Sequence, residues 1–97
     1  MKVVWSPLAI DRLAAIAEYI ATENLSAAQK LVDEIFKRAS DLKQFPQIGR
    51  IVPETERPDI REILFQNYRI IYRVKPKEVG ILTVRHVRQL LPLEETK

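Results

Sequence analysis

The apolar residues of this chain change their spacing once, and the change falls at a run of prolines. Before it, Leu13, Ile16, Ala17 and Ile20 recur at helical spacing, as do Ala28, Leu31, Val32, Ile35, Ala39 and Leu42. After it, IREILF (60–65), YRIIYRV (68–74) and VGILTVRHV (79–87) alternate with a period of two, the pattern of half-buried strands. The stretch between, FPQIGRIVPETERPDI (45–60), holds three prolines and a glycine and reads as a long ordered loop.

Local signals sharpen these elements. KVVW (2–5) is a short apolar run and a candidate first strand. Ser6 can cap the free N–H groups of a helix that begins at Pro7, where the missing donor of proline costs nothing. TENL ends that helix, and SAAQ (26–29) has the form of a capping box, Ser26 reaching forward and Gln29 back. The second helix then runs to about residue 44. The order is β-α-α-β-β-β, and the expected fold is α+β in two layers: two N-terminal helices packed on one face of an antiparallel sheet, in one domain over residues 1–97.

Hairpin lengths predict which side chains share a face. A two-residue turn at Gln66–Asn67 pairs Phe65 with Tyr68, Leu64 with Arg69 and Glu62 with Ile71. A four-residue loop at 75–78 pairs Val74 with Val79, Ile71 with Leu82 and Arg69 with Val84. The core face is then Ile63, Phe65, Tyr68, Ile70, Tyr72, Val74, Val79, Ile81 and Thr83. The other face carries Ile60, Glu62, Leu64, Arg69, Ile71, Arg73, Leu82, Val84 and His86, with Arg88 just beyond, and no further element is expected to cover it. A face mixing aliphatics with Arg and His has the chemistry of a binding surface.

Charge points to the same region. Residues 1–60 hold eight Lys/Arg against nine Asp/Glu, whereas residues 61–88 hold seven against two. This concentration suggests an anionic partner, or else a solvated strand edge guarded by cations. A net charge of +3 is small for direct binding to nucleic acid, and neither a helix-turn-helix pattern nor an aromatic stacking motif is present. With no cysteine there is no disulfide and no thiolate metal site, and one histidine without a carboxylate cluster falls short of a metal ligand set. No cofactor is expected. MKVVWSPLAI lacks the apolar run of a signal peptide and no stretch is long enough to cross a bilayer, so the expected location is the cytoplasm, away from membranes.

Four pieces in this order, WSPLAIDRLAAIAEYI, FPQIGRIVPE, REILFQNYRIIYRV and ILTVRHVRQ, resemble the RelE/ParE superfamily of toxins from bacterial type II toxin–antitoxin systems. The Trp-Ser-Pro opening, the FPQIGR loop and the VRHVRQ ending are more similar to the ParE branch. That resemblance implies a toxin that inhibits DNA gyrase, is neutralised by a cognate antitoxin, and meets DNA only through the antitoxin complex. RelE-like members instead cleave mRNA on the ribosome. In them the arginine matching Arg69 contacts the phosphate, while the lysine positions fall here on Ile60 and Glu62, and no tyrosine follows Tyr72 to match the late RelE tyrosine.

On the ParE-like expectation the target-binding residues are Arg61, Arg69, Arg73, Arg85, His86 and Arg88, with no catalytic set and a binding inhibitor as the outcome. Should the protein be a nuclease, Arg69 and Arg88 would hold the phosphate and His86 would act as acid or base. Arg73 could alternatively form a surface ion pair with Glu62 across the hairpin.

Overall fold

The computed structural model describes all 97 residues and has the two-layer α+β arrangement. Strand β1 (Lys2–Trp5) leads into helices α1 (Pro7–Ala21) and α2 (Leu25–Asp41), followed by β2 (Arg50–Ile51), β3 (Ile60–Phe65), β4 (Tyr68–Val74) and β5 (Glu78–His86). A short 3-10 helix, Leu93–Thr96, ends the chain. The sheet order is β1-β5-β4-β3-β2. β2 through β5 are antiparallel, and β1 joins β5 in parallel, so the sheet is mixed. No helix is long and apolar enough to cross a membrane.

Ser6 caps α1 as expected: its Oγ accepts from the Ala9 N–H at 3.0 Å and donates to the Leu82 carbonyl at 2.9 Å, tying the helix start to β5. The second helix differs. Asn24, not Ser26, is its cap, accepting from the Ala27 N–H at 2.9 Å. Asn is as good a cap as Ser, and using it starts α2 two residues earlier and keeps the helix connection short.

The helix-facing core contains Leu13, Leu31, Ile35, Ile70, Tyr72 and Ile81 among its buried members, with Trp5 against the Phe36 ring at 4.6 Å. The β3–β4 register is the expected one. In β4–β5, Val74 does pair with Val79, but a bulge at Leu82 breaks the ladder between Ile71/Thr83 and Tyr72/Ile81. One extra residue reverses every side chain beyond it. Val84 therefore lies opposite Ile70 in the helix-facing core, Thr83 lies opposite Ile71 on the other face, and His86 lies opposite Tyr68. The expected faces of Thr83, Val84 and His86 are thus exchanged, and Arg85, not Val84, is the neighbour of Arg69.

The second face is covered, contrary to expectation. Val52 from the proline-rich loop and Leu91 from the C-terminal segment close over Ile60 and Ile71 to form a small second core, with Leu82 against it. Val52 follows Ile51 and Leu91 follows Leu90, and a single apolar pair beside a proline leaves no periodic signal in the sequence.

Gly49 holds the loop down on the sheet. Its N–H donates to the buried Tyr72 hydroxyl at 2.9 Å, and a Cβ there would lie 2.5 Å from the Glu62 carbonyl oxygen and 2.6 Å from the Tyr72 hydroxyl. Because the first obstacle is backbone, relief requires moving the loop off β3. Gly49→Ala is expected to cost about 1–3 kcal/mol in urea denaturation; an unchanged midpoint would show that the loop is not held at this point.

Candidate functional site

Arg69 sits at the centre of the second face and is 5% exposed. Its Nε donates to Glu62 at 2.6 Å, and its two Nη groups grip both carboxylate oxygens of Glu54 at 2.8 and 2.9 Å. Nη1 also donates to the Gln89 carbonyl at 3.0 Å. Glu62 is itself fully buried and takes a second bond, 2.6 Å, from the Nε of Arg50. Glu54 in turn accepts from the Leu91 N–H at 2.9 Å. One guanidinium thus joins a strand, the proline-rich loop and the C-terminal segment, and its planar fork is what lets it do so.

The neighbouring cations are engaged in the same way. Arg85 stands opposite Arg69 across the β4–β5 ladder, a like-charge pair that would repel without intervening carboxylates. Arg85 pairs with Glu95 at 2.8 Å, and Glu95 also accepts from Thr83 and from Arg12 on α1. Arg73 pairs with Asp59, not with Glu62, and Asp59 is shared with Arg57. Arg61 points to the helix side of the sheet and donates to the Pro58, Gly49 and Gln47 carbonyls. Of the seven cations in residues 61–88, four therefore face carboxylates, counting Lys75 with Glu78. Three of those four find theirs on the loop or the C-terminal segment.

His86 lies on the helix side, its ring edge-on to Tyr68 at 5.8 Å. Its Nδ1 accepts from the Arg88 N–H at 3.1 Å, which makes Nε2 the protonated nitrogen of the neutral ring. It does not face Arg69, which is on the opposite side of the sheet. Arg88 is exposed and its guanidinium has no carboxylate partner. It stands on the turn after β5 between Val87 and Leu90, and this turn and Leu64 of β3 enclose an open cleft of about 450 Å³ with Arg69 at its floor and Arg50 at its rim. From the sequence, Leu64 is expected only as a member of the second face and Val87 only as the end of the last strand, and Leu90 is not singled out. The one available signal is the pair of aliphatic residues, Val87 and Leu90, on either side of Arg88-Gln89. No group of three or more His, Cys, Asp or Glu residues is placed to hold a metal ion.

The carboxylates report the strength of these contacts. The Arg69 guanidinium holds Glu54 down to about 2 from an ordinary 4.5, against the opposing effect of burial. Burial likewise raises Glu95, but the Thr83 hydroxyl and the Arg85 charge outweigh it and the net shift is downward. Asp59 is lowered by its bond from Arg57. A carboxylate lowered in the folded state gives stability that is complete above its unfolded pKa and is lost as pH falls through the folded one. Urea midpoints are therefore expected to drop between pH 4.5 and about 2, with a shallower fall in Glu54→Gln. An identical pH slope in that variant would remove Glu54 as the group responsible.

Known proteins carry the same architecture. Residues 3–91 match the family described as ParE toxin of type II toxin–antitoxin system, parDE. The chain is 32% identical over 90 residues to Toxin RelE2 of Caulobacter vibrioides, covering 92% of this chain and 98% of that protein. It is also similar to a solved structure described as the chromosomal ParDE TA system from P. aeruginosa, with a TM-score of 0.73, 28% identity, and coverage of 89% of this chain and 95% of the other. With its family match spanning nearly the whole length, this chain belongs to the ParE toxin family of type II toxin–antitoxin systems.

Proposed function

We propose that this toxin arrests growth in the cytoplasm by binding DNA gyrase, a type II topoisomerase, and that a cognate antitoxin neutralises it by covering the same surface. The observation that favours binding over bond cleavage is the separation of the candidate nuclease residues. Arg69 is buried in two ion pairs and His86 stands on the opposite face of the sheet, so the acid–base and phosphate-holding groups do not converge. What the region offers to a partner is the exposed Arg88 with Val87, Leu90 and Leu64 around it. Arg88 is the direct contact in this proposal, with His86 at the margin. Arg69 and Arg85 position the segment that carries Arg88, and Arg61 and Arg73 anchor the loop beneath.

In this proposal residues 1–97 act as one binding unit, a reading supported by the loop and the C-terminal segment both contributing walls to the cleft. DNA is met only through the antitoxin complex. The test is a pulse-label after sudden induction in bacteria lacking the antitoxin, following DNA and protein synthesis together. An early stop in DNA synthesis with translation continuing is expected. An immediate stop in translation would overturn gyrase as the target in favour of mRNA cleavage on the ribosome.

A further inference from the structure

β1 pairs with β5 only as far as Ile81, so the last residues of β5 run beside α1 with no strand between them. A separate cleft of about 330 Å³ lies there, lined by α1 and by the ends of β4 and β5. From the helix it takes Arg12, Ile16 and Tyr19, which fall on one face at i, i+4 and i+7. Ile16 and the buried Val84 give it an aliphatic floor. Tyr68 and His86, packed edge to face at 5.8 Å, give it an aromatic wall, and Tyr19, 81% exposed, is a third ring beside it. Three rings and two guanidinium groups, those of Arg12 and Arg85, therefore surround one small depression.

The charge here is not balanced. Arg12 and Arg85 share a single carboxylate, Glu95, and both bond the same oxygen of it, at 3.0 and 2.8 Å. The other oxygen is taken by Thr83. Two positive charges thus face one negative, and no acidic residue lines the cleft. Each guanidinium uses one nitrogen on Glu95, and the Nε of Arg85 is buried without any partner. A cleft of this size holds one small molecule and not a folded domain. Rings favour a flat π-system, and unused guanidinium N–H groups favour phosphate. We propose that this cleft binds a nucleoside monophosphate, its base against the rings of Tyr19, Tyr68 and His86 and its phosphate on Arg12 and Arg85. The inference is independent of the gyrase target and of the antitoxin. The other two clefts lack one half of this chemistry. The one beside Arg88 has no aromatic residue, and the groove between α1 and α2 carries Glu18 and Asp33 with no cation.

The test titrates adenosine 5′-monophosphate into the purified full-length protein, isotope-labelled for NMR. Adenosine and ribose 5-phosphate serve as controls that lack the phosphate or the base. Saturable shifts are expected at the amides of Ile16, Tyr19, Arg85 and His86, with affinity roughly fivefold or more weaker for either control. Tyr19→Ala and Arg12→Gln should each weaken binding of the monophosphate by a similar factor. Tyr19 is exposed, so that variant stays folded and reads the site even if loss of the Arg12–Glu95 pair loosens the C-terminal segment. Lys77→Gln removes the same unit of charge from a turn outside the cleft and should bind like wild type. Absence of saturable shifts, or shifts confined to the other two clefts, would overturn the proposal. So would ribose 5-phosphate or adenosine binding as well as the monophosphate, wild-type affinity in Tyr19→Ala, or an equal loss in Lys77→Gln, which would reveal general attraction of anions.

Discussion

Arg69→Ala is expected to destabilise the whole fold by about 3–5 kcal/mol, the cost of leaving buried carboxylates without their cation. Glu62 is 1% exposed and would keep only Arg50, while Glu54 would lose its one ion-pair partner and its hold on the Leu91 segment would weaken. For a chain of this size that is a large share of a typical total of about 5–15 kcal/mol. Urea denaturation measures it directly, and a midpoint equal to wild type would show that the Glu54–Arg69–Glu62 cluster is dispensable. A companion variant separates the ion pairs from the packing they occupy. Replacing Arg69, Glu54 and Glu62 together by Met, Leu and Leu removes the charges as a set, and should recover most of the loss. Any loss of toxicity in Arg69→Ala alone therefore reports a damaged scaffold and not a missing contact, whereas loss in Arg88→Glu reports the contact.

Leu91→Ala should be the other severe change. Leu91 is 4% exposed and completes the second core with Val52, Ile60 and Ile71, three residues from two different segments of the sheet and its covering loop. Removing a buried leucine side chain costs about 2–5 kcal/mol, depending on how far the site collapses. The effect should extend beyond the tail, since Ile60 and Ile71 belong to the central strands β3 and β4. Hydrogen exchange should show faster opening at the Leu91 amide, which donates to Glu54, together with a lower urea midpoint. A midpoint within about 0.5 kcal/mol of wild type, the range of an ordinary surface substitution, would mean that the C-terminal segment is not part of the folded unit.

These two expectations reverse the natural reading of a basic strand. From composition alone, Arg69, Arg73 and Arg85 form part of an uncompensated positive stretch, seven cations against two acids in residues 61–88. In the folded chain their counter-charges come from elsewhere: Glu54 and Asp59 from the loop, Glu95 from the 3-10 helix. The local excess of charge is a property of the order of residues along the chain, and the surface potential is a property of which segments fold back. Only Arg88 and Lys77 among the seven are left without a carboxylate or carbonyl partner for the side chain, at positions in two different turns. Arg88 differs from Lys77 in having Val87 and Leu90 beside it, which is why the cleft forms there.

Sequence by itself determined the elements that rest on repetition and local chemistry. The two helical stripes, the Ser6–Pro7 start, the Gln66–Asn67 hairpin and the β3–β4 pairing all stand as expected, because each is set by residues a few positions apart. It also carried the family, through four motifs in a fixed order. Tertiary structure decided the rest. A single bulge at Leu82 turned Val84 inward, moved Arg85 beside Arg69 and sent His86 to the helix side, and nothing in the alternation of β5 announces an extra residue. The cover over the second face comes from Val52 and Leu91, each one of an aliphatic pair outside any regular repeat, whose burial depends on the path of irregular backbone held by Gly49 and Arg69. Periodicity records which faces a regular element offers; it cannot record which distant segment arrives to bury one, and it is that arrival which made Arg69 part of the scaffold and left Arg88 as the contact.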